Sequence, residues 1–264
     1  MQTARLASRL SLFALFLVLT ALIAILVCAV ERLRRRPVDR TPWARFCFGG
    51  AARCLGFQVQ QEGTVASGPV LFVSNHISWS DIPILGGIAP LRFLSKAEVA
   101  RWPVIGWLAT QAGTLFIQRG SGRASQSQEE ITRALNQSQS VLIFPEGTTT
   151  VGITVLPFHS RLLQSAVDSG VMIQPVTIGY RRNGQRDHLA PFVGDDEFQS
   201  HLWRLLKQPA VSVSLIFHAP VAVNAETDLR QLATNLQQTV SQGLGRIHSP
   251  GDSPASSSSV ASLT

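Results

Sequence analysis

The longest apolar run of the chain lies near its N-terminus. From Leu10 to Val30 there are 21 residues without a charged side chain. About 20 apolar residues in a helix that rises about 1.5 Å per residue span the hydrocarbon core of a bilayer. A cleaved signal peptide is the alternative, but its apolar core is usually only about 7–15 residues long. The run therefore predicts a retained transmembrane or deeply inserted helix.

Arginines on both sides of this run predict its orientation. Two precede it and five follow it, namely Arg5 and Arg9 before, and Arg32, Arg34, Arg35, Arg36 and Arg40 after. Because positive residues stay on the cytoplasmic side, the pattern places the rest of the chain there. We expect residues 1–40 to be a membrane anchor with a basic flank, in the inner membrane if the protein is bacterial.

Residues 41–57 continue from the anchor with apolar side chains at helical spacing. Trp43 and Phe46 belong to the apolar set, and Arg45 and Arg53 lie among it. The pattern predicts an amphipathic helix in the membrane interface, with an ordinary surface helix as the alternative.

Short apolar segments alternate with helical ones beyond residue 57. The predicted buried strands are 70–74, 91–95, 114–118, 141–144, 171–178 and 211–217. The predicted helices are 123–138, 160–170, 196–209 and 225–246. This alternation predicts an α/β domain over residues 58–248, with a mixed, mainly parallel sheet covered by helices. The Ser- and Pro-rich residues 249–264 are predicted to be a disordered tail.

The positive net charge of the chain bears on which binding partners suit it. The 264-residue chain has a formal net charge of +7. Nucleic acid suits a basic surface, but these arginines flank the apolar helix and form no stripe with interleaved aromatic residues. Anionic lipid headgroups suit them better. The three cysteines, Cys28, Cys47 and Cys54, have no metal-ligand spacing, so we expect free thiols and no metal.

Polar residues follow several of the predicted strands. His76 and Asp81 follow the first strand, Arg119 follows the third, and "FPEGTTT" with Glu146 follows the fourth. Because the carboxyl ends of strands in an α/β sheet form the binding crevice, we expect one site at this edge.

His76 and Asp81 are the candidates for a general base and the carboxylate that orients it. Asp81 opens the apolar segment "DIPILGGI", and we expect its carboxylate to turn back toward the imidazole. A carboxylate bound to one ring nitrogen leaves the other free to accept a proton. The alternative for Asp81 is a helix cap worth roughly 1 kcal/mol, which leaves His76 unexplained. No GxSxG elbow is present, so we expect the base to activate a substrate hydroxyl.

Four motifs in order, over about residues 55–220, resemble those of the glycerolipid acyltransferases, the family of lysophosphatidic acid acyltransferases. "NHISWSD" resembles their NHxxxxD motif and "GTLFIQR" their second motif. "FPEGTTT" is similar to their third, usually FPEGTRS, and "IQPVTI" to their fourth.

The resemblance implies that His76 deprotonates an acceptor hydroxyl, which attacks an acyl thioester, while Asp81 orients His76. It implies acceptor binding by Arg119, Glu146, Gly147 and Thr148, with Asn75, Thr149 and His159 as possible acceptor or oxyanion contacts. Backbone N–H groups near Gly147 or after His76 are candidate oxyanion donors. The implied partners are membrane lipids and acyl-CoA or acyl carrier protein as co-substrate, without a metal, an organic cofactor or nucleic acid.

Two positions depart from the family pattern. Thr149 stands where the family commonly has arginine, and His159 where it often has lysine. Threonine cannot supply the charge that arginine offers to a phosphate. These departures leave the acceptor unsettled: the expected one is lysophosphatidic acid, the most common substrate of the family, which gives phosphatidic acid, and the alternative is lyso-ornithine lipid or another phosphate-free lysolipid.

Other function classes are less favoured. A binding or scaffold protein with a decayed site predicts the loss of His76, Asp81 or Glu146, and all three are present. A hydrolase that uses water at the same base is the remaining alternative, and a site open to water would favour it.

Overall fold

The structure is a computed structural model, which describes residues 2–36, 38–117 and 124–249. The predictions for Arg119 and for nearly all of the tail, residues 250–264, lie outside the described residues. The helices are α1 (Gln2–Arg34), α2 (Thr41–Cys54), α3 (Asp81–Ile88), α4 (Ile105–Gln111), α5 (Ala124–Asn136), α6 (Gln164–Ser169), α7 (Phe198–Lys207) and α8 (Leu229–His248). The strands are β1 (Phe57–Glu62), β2 (Val70–Ser74), β3 (Leu91–Lys96), β4 (Leu115–Ile117), β5 (Ser140–Ile143), β6 (Met172–Arg182), β7 (Gln185–Arg186) and β8 (Val211–Phe217).

The strands form one mixed, mainly parallel sheet, as predicted. Its order is β1-β8-β6-β2-β5-β3-β4, and β7 pairs with β6. The five strands from β2 to β6 all run parallel to one another, whereas β8 is antiparallel to β6. The edge strand β1 was not predicted, because only Phe57 of its six residues is buried and its pattern is too polar to stand out.

Helices cover both faces of the sheet. In β2, Val70 and Phe72 belong to the core beneath α2, α3 and α7, whereas Leu71 and Val73 belong to the core beneath α5, α6 and α8. Burial on both faces explains why β2 is a continuous apolar run instead of an alternating one.

Helix α1 is long and apolar enough to cross a membrane, by length and composition, which points to membrane association. Both of its ends also contact the domain. Near its start, Arg9 donates to the carbonyl of Gln208 at 2.8 Å, just beyond α7. Near its end, the thiol of Cys28 donates to Gln111 of α4 at 3.2 Å. The apolar run gave no sign of these contacts.

Helix α2 ends at Cys54, three residues before the predicted end of the segment. A Cβ on Gly50 would lie 2.0 Å from the ring of Phe16, so glycine is what allows α1 to approach α2 this closely. Trp43 and Phe46 are exposed on α2, and its placement in the membrane interface stays a prediction.

Candidate active site

The site lies at the carboxyl ends of β2 and β5, which are parallel neighbours in the sheet. Because the two strands end side by side, the loop after Ser74 faces the loop after Ile143. The N–H of Thr150 donates to the carbonyl of His76 at 2.8 Å and joins the two loops. The predicted crevice is thus formed from these two motifs.

His76 and Asp81 are in contact, as predicted. His76 Nδ1 lies 2.7 Å from Asp81 Oδ2. An ionised carboxylate only accepts hydrogen bonds, so Nδ1 carries a proton in this contact, and in the neutral imidazole Nε2 is then the nitrogen with the lone pair. Nε2 has no hydrogen bond to any described residue, and the imidazole stacks on Phe144 with ring centroids 3.9 Å apart. This is the arrangement that a general base needs.

Asp81 is completely buried, and its carboxylate accepts from four donors. Besides His76, the N–H groups of Ile77 and Ser78 donate to Oδ2 at 2.8 and 3.1 Å. The hydroxyl of Tyr180 donates to the other oxygen, Oδ1. These bonds replace the water that the buried carboxylate has lost. Because the backbone donors precede α3, the carboxylate fixes the loop of His76 and is not a simple cap of the helix.

Glu146 joins the same loop to the segment after the third motif. It is 4% exposed, and its two oxygens accept from the N–H of His76 at 2.7 Å and of Leu156 at 2.8 Å. Desolvation raises the pKa of Glu146, and these two hydrogen bonds act against that rise. Glu146 therefore holds the backbone of His76 in place, whereas contact of Glu146 with an acceptor stays a prediction.

Asn75 anchors the first motif to β6. Its side-chain amide donates to the carbonyl of Ile178 and accepts from the N–H of Ile178, both at 2.9 Å. The side chain of Asn75 is buried and both of its polar atoms are hydrogen-bonded, so its role in this structure is to hold the loop in place.

The other predicted site residues lie around the third motif. Gly147 has φ +71°, which favours glycine, and Thr148 is exposed beside it. Thr149 donates its hydroxyl to the carbonyl of Phe192. The exposed His159 has one ring atom 3.6 Å from where a Cβ on Gly147 would lie. The structure brings these residues together, and their roles stay predictions.

Most of the predicted oxyanion donors are already in use. The N–H of Gly147 donates to the carbonyl of Phe144 at 3.1 Å, and those of Ile77 and Ser78 donate to Asp81. Within the described part of the chain, the N–H groups of Thr148 and Thr149 make no hydrogen bond. These two donors remain available directly after Gly147.

An apolar cavity of about 300 Å³ lies between α1, α2, α3 and α4. Trp79, Ile82 and Pro83 connect its wall to the first motif and α3. The sequence did not predict this cavity, because its lining comes from several distant segments.

Sequence reasoning also missed two buried partners of the first motif. Tyr180 donates to Asp81, and His201 Nδ1 accepts from Trp79 Nε1 at 3.0 Å. Burial lowers the pKa of His201, which keeps its ring neutral for this contact. No local signal marks either residue.

No group of three His, Cys, Asp or Glu able to hold a metal occurs among the described residues, and the lack of a metal or cofactor stays a prediction.

Known proteins resemble this chain in sequence and fold. A family model described as Acyltransferase matches residues 56–179. The lyso-ornithine lipid O-acyltransferase of Pseudomonas aeruginosa is 47% identical, over 80% of this chain and 79% of its own. A 1-acyl-sn-glycerol-3-phosphate acyltransferase of Neisseria gonorrhoeae is 30% identical, over 72% and 75%. The crystal structure of the 1-acyl-sn-glycerophosphate acyltransferase PlsC of Thermotoga maritima covers 94% of this chain and 98% of its own, with a TM-score of 0.66 at 24% identity.

Proposed function

This chain belongs to the acyltransferase family, and we propose that it transfers an acyl chain from a thioester to the free hydroxyl of a lysolipid. The observation that carries the proposal is the state of His76. Its Nδ1 is held by Asp81, while its Nε2 is free of hydrogen bonds to the described residues. Such a base activates a hydroxyl that belongs to a substrate.

The reaction is a direct transfer. His76 Nε2 takes the proton from the acceptor hydroxyl as its oxygen attacks the thioester carbonyl, and Asp81 stabilises the imidazolium that forms. The N–H groups of Thr148 and Thr149 stabilise the tetrahedral oxyanion. The C–S bond then breaks, and His76 returns its proton to the leaving thiolate. No step needs a metal or an organic cofactor.

We take the acceptor to be lyso-ornithine lipid or another lysolipid without a phosphate. Thr149 supplies no charge, and its hydroxyl is committed to the carbonyl of Phe192. The similarity to a lyso-ornithine lipid O-acyltransferase supports the same choice. Lysophosphatidic acid, the acceptor expected from the sequence, becomes the second candidate, and the Neisseria relative favours it.

The donor is proposed to be acyl-CoA or acyl carrier protein, with its acyl chain in the apolar cavity. Trp79, Ile82 and Pro83 bring the cavity wall to the start of α3, where Asp81 lies. Burial of methylene groups in such a cavity contributes about 0.8 kcal/mol each. We further propose that the domain faces the cytoplasm, because arginines flank α1 at both ends and suit the anionic lipids of the cytoplasmic leaflet.

An acyl-transfer assay in detergent micelles tests this function. Wild type and His76→Ala receive a labelled palmitoyl thioester, on coenzyme A or on carrier protein, with lyso-ornithine lipid and lysophosphatidic acid in parallel. We expect most product from lyso-ornithine lipid, and a loss of roughly 10²–10⁴-fold in kcat for His76→Ala. His188→Ala, at an exposed histidine, serves as the matched control and should retain activity.

Each other result contradicts a separate part of the proposal. Undiminished transfer by His76→Ala would exclude this base. Product from lysophosphatidic acid alone would overturn the acceptor. Release of free fatty acid without an acylated lipid would favour the hydrolase.

A further inference from the structure

The only tyrosine of the chain lies in β6, behind the catalytic pair. The side chain of Tyr180 is fully buried, and its hydroxyl donates to Asp81 Oδ1. His76 uses the opposite oxygen, Oδ2. Tyr180 is 99 residues from Asp81 along the chain and lies outside the NHxxxxD motif.

The directions of these hydrogen bonds follow from the chemistry of their groups. Because the carboxylate of Asp81 only accepts, the phenolic proton points to Asp81. Ser80 Oγ lies 2.9 Å from the same phenolic oxygen, so the hydroxyl of Ser80 must donate to it. The network therefore runs from Ser80 through Tyr180 to Asp81, which His76 approaches from the other side.

Packing of the ring alone does not account for the hydroxyl group of Tyr180. The ring of Tyr180 already packs edge-on against Phe57, with centroids 6.1 Å apart, which a phenylalanine could also do. Burying a phenolic hydroxyl costs free energy unless it finds a partner, and its partner here is the carboxylate bound to His76. Burial and the charge of Asp81 raise the pKa of Tyr180 well above its usual value, so it stays a neutral donor.

We propose that Tyr180 is a positioning residue for acyl transfer, which fixes the carboxylate of Asp81 and limits how strongly it stabilises the protonated form of His76. The inference rests on the proposed role of His76 as the general base. Among the described residues, Tyr180 is the sole hydrogen-bond donor to Oδ1 of Asp81, whereas Oδ2 has three donors.

Loss of the Tyr180 hydroxyl has two consequences. The carboxylate is less firmly held, so fewer molecules keep His76 in the reactive orientation and kcat falls. The negative charge on Asp81 is also less compensated, while Glu146, the other carboxylate beside His76, keeps its contacts. The protonated imidazole therefore becomes more favourable. A base that holds its proton more strongly needs a higher pH to act, and the acid limb of the pH profile moves upward.

The experiment compares wild type, Tyr180→Phe, Ser80→Ala and Phe57→Leu in the acyl-transfer assay, with kcat and KM measured as a function of pH. For Tyr180→Phe we expect kcat to fall about tenfold, because a hydrogen bond to a charged group is lost, with little change in the acceptor KM. The acid limb of kcat/KM should move to higher pH. Ser80→Ala, which acts through Tyr180, should give smaller changes in the same direction.

Phe57→Leu is the structural control, because it disturbs the packing of the Tyr180 ring and leaves the hydroxyl in place. It should lower Tm without moving the acid limb. A wild-type kcat and pH profile in Tyr180→Phe would overturn the inference, whether or not the Tm of this variant is lowered. If His76→Ala in the same assay remains active, the proposed function itself fails, which distinguishes the two failures.

Discussion

At the scale of single residues, Thr149 bears most directly on the acceptor. It lies beside the exposed Gly147 and Thr148, and its hydroxyl is bound to the carbonyl of Phe192. An arginine here would add two parallel donors of fixed charge, which suit a phosphate monoester. Given the proposed function, we expect acceptor preference to depend on whether this position carries a charge.

Thr149→Arg should raise turnover of lysophosphatidic acid relative to lyso-ornithine lipid. We expect the ratio of the two kcat/KM values to rise about tenfold, since one charge-assisted contact is gained. Thr149→Gln, which also loses the bond to Phe192 but adds no charge, is the control. An equal rise in both variants would show that the lost hydrogen bond, and not the charge, changes the ratio.

At the scale of elements, α1 matters for more than membrane attachment. Phe16, Thr20 and Ala24 line the apolar cavity together with residues of α2 and α4. Leu22, which lies between two of them in sequence, is exposed on the other side of the helix. One face of α1 therefore shapes the proposed acyl site, while the other faces outward.

Ala24→Phe should shift the enzyme toward shorter acyl donors. The larger ring fills part of the cavity, so long chains lose burial and clash, whereas short chains still fit. The measurement is kcat/KM over a series of saturated acyl thioesters of increasing length. Leu22→Phe on the exposed face should leave the profile unchanged. The same profile in both variants would mean that the acyl chain binds elsewhere.

At the scale of the whole molecule, the contacts of α1 bear on its place in the membrane. The sequence predicts that this helix crosses the bilayer. Its 33 residues correspond to a length of about 50 Å, yet Arg9 contacts the chain beyond α7 and Cys28 contacts α4. A helix attached to the domain at both ends lies along it, which favours insertion from one side.

We expect both ends of α1 to be accessible from the side of the domain. Thr3→Cys and Arg34→Cys, each in a protein whose three native cysteines are replaced by alanine, are labelled with an impermeant maleimide in sealed, oriented vesicles. Glu226→Cys, at an exposed position of the domain, identifies the domain side. Labelling of Thr3→Cys only from the opposite side would instead establish that α1 crosses the membrane.

Most strands and the pairing of His76 with Asp81 could be predicted from the sequence, because their signals are local. The apolar runs predicted the strands from β2 to β6 and β8, because burial on both faces makes such runs continuous. His76 and Asp81 could be paired because they are five residues apart, at the end of a strand and the start of a helix. Weak local signals were missed, such as the mostly exposed β1 and the seven-residue α4.

The residues that complete the site from distant parts of the chain could not be predicted, because their contacts depend on the arrangement of the sheet. The sheet order places β6 beside β2, which brings Ile178 to Asn75 and Tyr180 to Asp81. The cavity and the contacts of both ends of α1 likewise join segments far apart in sequence. Local patterns report how each segment is buried, whereas the partner of a buried polar group depends on how the segments are arranged in space.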